Sequence, residues 1–367
     1  MKSTKPPKAA GRVPRKQVTM ADIAEQLGIS KNSVSIALSN KSGVSDSLRR
    51  RVLEKAAELR YGGIPAQRGL ESRCIAVIVP EYLHGDTFFY AEVFWAVEHQ
   101  AKKQGCIALH IGVTREMEAA GTLPPLPREL TLLGMLVVGV VSQPYMEKLY
   151  ALGLPMLCVD IACHQPPLGC IGSANLAGGH MATRHLIENH HTRIGFIGPI
   201  GTATSIYERW CGFCLAMRQA GLPLREEYNI LGGQPGLALF DTIDALAPYL
   251  QDPTRYPTAW FCAGDRIAVA LINVLTQQGI RVPDDISVMG FDDLTIGQML
   301  LPQLSTIHID RRYMGEMAVE HLVRLAADAT RTPVNVSLLG SLVSRESVRA
   351  RQREGEPRAG LAATVFL

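Results

Sequence analysis

Apolar positions recur at helical spacing between residues 19 and 59, and the rhythm changes after residue 74. Thr19 is followed three residues later by Asp22, the separation of a capping box, and Ile23, Ala24 and Leu27 then share one helical face as far as Gly28. Ser30 caps a second short helix that turns Val34, Ala37 and Leu38 inward and leaves Lys31, Asn32, Ser33 and Ile36 near its front. A third helix is predicted from Ser45, with Leu48, Val52, Leu53, Ala56 and Leu59 inward and Arg49, Arg50 and Arg51 in its first turns. Two short helices joined by a glycine-containing turn make a helix-turn-helix arrangement. From residue 74 onward, short apolar runs such as "CIAVIVP", "GMLVVGVV", "PMLCVDIA", "TAWFCAGD" and "ISVMGFDD" alternate with helical stretches such as "FYAEVFWAVEHQAKKQG". That alternation predicts α/β units around buried parallel sheets, and this much sheet fits two lobes better than one.

Composition and charge sharpen the division. With 367 residues, 47% of them hydrophobic and 19% charged, the chain can bury a sizeable core in two or three folding units. No apolar run reaches the roughly 18 residues of a membrane span. The opening "MKSTKPPKAAGRVPRKQ" is basic with no apolar stretch behind it, unlike a signal peptide, so a cytoplasmic location is expected. Residues 1–73 carry fifteen Lys/Arg against six Asp/Glu, a net +9; the whole chain stands at +3, which leaves −6 for the remainder. A basic head on a mildly acidic body suggests an anion-binding module, with nucleic acid as its partner.

The eight cysteines are scattered through apolar segments without disulfide-scaffold spacing and read as reduced core residues. Trp210-Cys211-Gly212-Phe213-Cys214 comes close to a thioredoxin signature and keeps a thiol oxidoreductase in play as an alternative. Such a dithiol needs its first cysteine at a helix N-terminus, where the dipole lowers the thiol pKa. Here Ser205 is expected to cap the helix that follows "RIGFIGPIGTATS", which puts Cys211 about two turns inside it. His185, His190 and His191 with Cys163 and His164 match no metal-ligand spacing. No cofactor, metal or constellation of nucleophile, base and oxyanion donors is expected, and the chain reads as a non-enzyme.

The segment "VTMADIAEQLGISKNSVSIALSNKSGVSDSLRRRVLEKAAELRY" resembles the DNA-binding headpiece of the lactose-repressor (LacI) family. The family pattern runs V-T-x-x-D-[IV]-A-x-x-[AL]-G-[VI]-S, then T-V-S-R and V-S-x-x-T-R-x-[KR]-[VI]. Ser33 stands where the family usually has Thr, and Ile36 where it often has Arg. The resemblance implies an N-terminal all-α helix-turn-helix headpiece plus an α/β periplasmic-binding-protein-like core of two Rossmann-like lobes. It implies a basic tail (1–17), the headpiece (18–61), a hinge or linker (62–73) and the core (74–350). Lobe one takes about 74–173 and 309–335, and lobe two about 174–308 and 336–350. The tail 351–367 has no family counterpart and is expected to be loose.

Within that framework the second helix enters a major groove, where Lys31 donates to guanine acceptors, Asn32 pairs with adenine and Ile36 meets a thymine methyl. Ser30, Ser33 and the Arg49, Arg50 and Arg51 run are expected to hold phosphates, Thr19 and Ser35 are counted among the DNA-binding residues, and Leu70 occupies the place of the hinge's minor-groove wedge. Gly62-Gly63, Gln67 and Gly69 make that hinge a weak helix, so it is expected to order only on DNA, with a plain flexible linker nearly as strong an expectation. Ligands of open α/β sheets lie beyond the carboxyl ends of the strands. This places Tyr82, His84, Asp160, Asp265 and Asp292 around the cleft, and Phe88 and Phe89 match the family's aromatic pair near its mouth, with one of the two expected in the core. Asp160, Arg209 and Asp292 match effector-binding positions of sugar-responsive family members, while Gly264 replaces the usual Asn and Asp265 is equally read as a helix cap. In the family's R-x-x-G-[FWY], Arg209 faces the effector, Gly212 permits close helix packing and Phe213 enters the core. The expected protein is a homodimeric transcriptional repressor. Its partners are a pseudo-palindromic double-stranded DNA operator and a small, sugar-like effector, with no membrane. A small-molecule binding protein without specific DNA recognition is the other reading.

Overall fold

Local signals build the first unit. The computed structural model describes residues 18–38, 43–59, 73–83, 88–126, 130–163, 165–232, 241–328, 330 and 332–351. The tail 1–17, the hinge with Leu70, His84, His164 and residues 352–367 lie outside the described residues. The chain divides into two compact units between Ser72 and Arg73. In the first unit, α1 (Met20–Leu27), α2 (Lys31–Leu38) and α3 (Asp46–Glu58) enclose a small core of Ile23, Ala24, Val34, Ala37, Leu38, Val52 and Ala56. Gly28 closes α1 in the left-handed region, φ 63°, a conformation that costs glycine nothing and turns the chain into α2.

The second unit contains two parallel sheets. Its first strands are β1 (Arg73–Pro80), β2 (Cys106–Val113), β3 (Leu132–Val138), β4 (Met156–Val159) and β5 (Gly169–Ser173). They alternate with α4 (Tyr90–Lys103), α5 (Arg115–Ala120) and α6 (Gln143–Tyr150). The period-2 rule is visible in β1: Ile75, Val77 and Val79 join one core cluster with Val93 and Val97 of α4, while Ala76 and Ile78 join another with Tyr145, Met146 and Leu149 of α6. Both faces are therefore buried, which is why the strand reads as a continuous apolar run.

The chain continues through α7 (Asn175–Glu188), β6 (Ile194–Ile197), α8 (Thr204–Gln219), α9 (Ile243–Leu246), β7 (Ala259–Cys262), α10 (Asp265–Gln277), β8 (Ser287–Met289), α11 (Thr295–Gln298) and β9 (Thr306–His308). It returns through α12 (Arg311–Ala327), β10 (Asn335–Leu338) and β11 (Ser341–Val343). The first sheet has the order β10-β5-β4-β3-β1-β2 and the second β6-β7-β8, with β11 antiparallel to β9. One expected boundary moves. Residues 336–338 belong to β10, which pairs with β5 in the first sheet, so the chain crosses to the second lobe after Leu338 and not at 335. The strand is short and only half covered, so its pattern does not say which edge it joins; the register with Cys170–Ser173 decides that. The crossing segments are tied where Ala174 N–H donates to Leu338 O at 2.8 Å. No described helix is long and apolar enough to cross a membrane.

Candidate functional site

Two groups of polar side chains are held by these elements. The first is the front of α2. Lys31 and Asn32 are exposed in its first turn, and Ser33, Ser35 and Ile36 are half-buried. A Cβ on Gly43 would lie 3.6 Å from Ile36 Cγ2, so Ile36 already packs against the headpiece itself. Exposed Ser30 accepts the Ser33 N–H at 3.0 Å, and its hydroxyl lies 2.9 Å from that of Ser33. Thr19 donates its N–H (2.6 Å) and hydroxyl (2.8 Å) to the Asp22 carboxylate, which fixes the start of α1. Arg49 Nη1 donates to Ala37 O at 3.2 Å, satisfying a carbonyl in the last turn of α2, and Arg50 is exposed. An ammonium, an amide and hydroxyls at the positive end of one helix suit phosphate and base-edge acceptors.

The second group lies at the strand ends between the two sheets. Asp160 follows β4 with φ 62°, and Asp292 follows β8 with φ 104°; both are left-handed, a conformation that Asp tolerates better than most residues. Tyr90 of α4 donates its hydroxyl to Asp160 Oδ2 at 3.0 Å. Arg209, buried in α8, donates Nε to Asn175 Oδ1 (2.9 Å) and Nη1 to Ala263 O (2.5 Å), while Nη2 lies 3.2 Å from Asp292 Oδ1. Its guanidinium stacks over Phe291 at 3.7 Å. Each of its three nitrogens thus faces a protein acceptor, two in hydrogen bonds and one in an ion pair. Burial pushes the Asp160 carboxyl up to about 6, with Asp292 adding to the rise and Arg209, Tyr90 and Ser173 opposing it. Asp160 Oδ1 and Ser173 Oγ are both buried without a partner in hydrogen-bonding geometry. Asp160, Arg209 and Asp292 are therefore brought into one electrostatic cluster.

The other candidate residues divide. Asp265 is turned inward: its carboxylate accepts from Leu294 N–H (2.7 Å) and Thr306 Oγ1 (2.6 Å), and burial, with Asp292 adding, pushes the carboxyl well above the usual range. It is the first residue of α10, and the cap position is Gly264. A Cβ on Gly264 would meet Asp292 Oδ2 at 3.3 Å, so a side chain there would lie against the cluster. Phe89 is core, edge-on to Tyr90 at 4.9 Å between ring centres, whereas Phe88 is exposed. Tyr82 is half-exposed; its hydroxyl donates to Val140 O (3.1 Å) and accepts the Val140 N–H (2.9 Å), tying its loop to the one after β3.

The thiol reading finds no support in the geometry. The cap of α8 is Ala203, two residues before the expected Ser205, so Cys211 lies deeper still in the helix. Burial pushes the Cys214 thiol up to about 11, the opposite of activation. His191 is buried between Thr258 Oγ1 (3.0 Å) and Arg349 O (3.1 Å), and burial holds it down at about 4, the state of a neutral structural histidine.

Several residues of the cluster went unnoticed in the sequence. Tyr90, Ser173, Asn175 and Glu208 reach it from four elements of both lobes, and Asn175 Nδ2 donates to Glu208 at 3.2 Å. Arg311, buried in α12, donates Nε to Glu92 at 2.9 Å and Nη1 to Asp292 O, so a lobe-one helix holds the lobe-two turn. Burial raises the Asp293 carboxyl, but Arg345 at 2.7 Å and His308 at 3.0 Å together hold it below the usual range. The only sequence signal for these was proximity to strand and helix ends.

Comparison with known proteins agrees with both parts. The profile of bacterial regulatory proteins of the lacI family matches residues 19–62, and that of a periplasmic binding protein-like domain matches residues 183–348. The HTH-type transcriptional repressor PurR of Aliivibrio fischeri (strain MJ11) is 30% identical over 341 residues, covering 91% of this chain and 99% of that protein. The same repressor of Photobacterium profundum is 28% identical over 90% of this chain and 98% of its own. A complex of the transcriptional regulator CelR with cellobiose superposes with TM-score 0.65 at 25% identity, over 90% of this chain and all of that one. The Lac repressor dimer bound to operator and an anti-inducer shares the fold, with TM-score 0.66 at 24% identity over 91% of this chain and all of that one. A helix-turn-helix headpiece joined to a two-lobed binding core, matched in order along nearly its full length, means that the chain belongs to the lacI family of bacterial regulatory proteins.

Proposed function

We propose that the protein is a transcriptional repressor whose operator affinity is set by a small molecule held between its two lobes. The observation that carries this is a single chain with a polar recognition face on α2 and a buried carboxylate–guanidinium cluster at the facing strand ends. As a homodimer in the cytoplasm it sets two headpieces on a pseudo-palindromic site, half-sites one helical turn apart. Lys31 and Asn32 read base edges, Ile36 contributes an apolar contact, and Thr19, Ser30, Ser33, Ser35 and Arg50 hold phosphates. Arg49 combines phosphate contact with its bond to Ala37. Leu70, in the 62–73 hinge, acts as the minor-groove wedge. Asp160 and Asp292 receive the effector's hydroxyls, with Arg209 holding Asp292 and the Ala263 turn in place; the cellobiose bound by CelR supports a sugar-like class. The relatives that the chain matches along nearly its full length are transcriptional repressors, which supports a regulatory and not an enzymatic reading.

Coupling follows from differential affinity. A ligand that prefers one lobe arrangement shifts the population of that arrangement, and DNA that prefers one headpiece spacing shifts it reciprocally. The test is selection of bound duplexes from a randomised pool by the purified full chain at two salt concentrations. A pseudo-palindromic site that survives the added salt supports the proposal. Recovery of only salt-sensitive, sequence-independent binding overturns it.

A further inference from the structure

A cavity of about 160 Å³ opens beside Asp160, walled by the ends of β4, β5 and β10 from the first lobe and by the start of α8 from the second. It is smaller than the roughly 300–1,000 Å³ of drug-sized sites and suits one small ring or short chain. Its polar wall carries Asp160, Glu208, Ser173, Asn175, Ser205 and Ser337, and among the described residues no Lys, Arg or His lines it. Ser173 is 6% exposed and Asp160 Oδ1 is buried; both belong to this wall, and apart from the interaction of the Ser173 hydroxyl with the Asp160 carboxyl neither atom has a hydrogen-bond partner. The nearby cation, Arg209, has Nε, Nη1 and Nη2 turned to Asn175, Ala263 O and Asp292. Gly264 adds no side-chain donor at the turn facing Asp292.

Two carboxylates therefore face one cavity whose described wall supplies no positive charge. Buried acceptors without a donor are costly, and a ligand that brings the donor recovers that cost. A phosphate or carboxylate would meet like charge with no cation of the described wall to receive it, Arg209 being paired with Asp292. We propose that this cavity takes a small hydroxyl-bearing ligand with an ammonium group, an amino polyol or amino sugar, and rejects phosphorylated and carboxylate-bearing ones. The ammonium lies between Asp160 and Glu208, and a ligand hydroxyl bonds Ser173. This rests on the effector reading above and specifies the ligand that site takes.

The test is calorimetric titration of the full-length protein at pH 7.5 with matched amine, hydroxyl and phosphate probes. These are glucosamine, glucose and glucose 6-phosphate, and 3-amino-1,2-propanediol, glycerol and glycerol 3-phosphate. The expected result is that the amine of at least one set binds about 10- to 100-fold more tightly than its neutral counterpart, with the phosphate weakest. Glu208→Gln and Asp160→Asn should each compress that preference, with circular dichroism reporting whether the variant is folded. The order within wild-type protein stands by itself if a variant does not fold. Equal or tighter binding of the neutral or phosphorylated member overturns the proposal and leaves the effector reading standing. If none of the six binds or alters operator affinity, the proposal falls; the effector reading then falls with it only if a wider metabolite screen also leaves operator affinity unchanged.

Discussion

Gly212→Ala probes the contact that holds Arg209 in place. Gly212 sits in α8 against α7, and a Cβ there would lie 2.2 Å from Leu176 O and 2.6 Å from His180 N. On the facing helix, a Cβ on Gly179 would lie 2.3 Å from Arg209 O, so the two backbones meet on both sides. Real Cβ atoms essentially never come within 3.0 Å, so the helices must part by about 0.8 Å, and both obstructing atoms are backbone that cannot rotate away. Overpacking against backbone on both sides falls in the upper part of the usual range, about 2–3 kcal/mol, partly offset by alanine's better helix propensity of about 1 kcal/mol. A net loss of about 1–2 kcal/mol corresponds to a fall in Tm of roughly 2–8 °C for a domain of this size. Urea and thermal unfolding of wild type, Gly212→Ala and the half-exposed neighbour Cys211→Ala would measure it. Because α8 carries Arg209, ligand response should weaken together with stability. An unchanged Tm in Gly212→Ala, or equal losses in the two variants, would refute the backbone-contact argument.

Three further outcomes are expected. Asp160 titrates at about 6 in the folded protein against 3.8 ordinarily, so its burial costs nothing below pH 4, costs progressively more up to pH 6, and costs its full amount above. Asp160→Asn should therefore raise stability by up to about 3 kcal/mol at pH 7 and hardly at all at pH 4, a difference that unfolding curves against pH would reveal or exclude. That profile also includes Arg209, Asp292, Tyr90, Ser173, Cys170 and Glu208, the groups facing the carboxyl or its cavity. Asp22→Ala removes the acceptor of both Thr19 donors and should cost the headpiece about 1 kcal/mol, seen as a lower melting point of the N-terminal unit; no change would discard the capping role. Cys211→Ser with Cys214→Ser should leave operator affinity indifferent to added thiol or peroxide, as in wild type, and an oxidant response confined to wild type would reopen redox control.

The headpiece was legible because its information is local. Caps at Thr19 and Ser30, the left-handed Gly28 and a 3.6-residue period over Ile23, Ala24, Val34 and Ala37 specify helices and their inner faces without distant contacts. The α/β character of the core was legible for the same reason. The rule that ligands gather at strand ends selected Asp160 and Asp292, which the fold does bring to Arg209. What the sequence could not express was partnership across long separations. Asp265 and Asp292 both end a strand run, yet one spends its carboxylate on Leu294 and Thr306 and the other turns to Arg209. Phe88 and Phe89 are identical residues one step apart, and only packing against Tyr90 sends the second inward. The sheet joined by β10, and the meeting of Ser173, Asn175 and Glu208 at one cavity, arise when chain crossings bring two lobes together. Periodicity determines which face of an element is buried; only the tertiary structure decides what that face meets, and so whether a buried donor or acceptor is spent on the protein or left for a ligand.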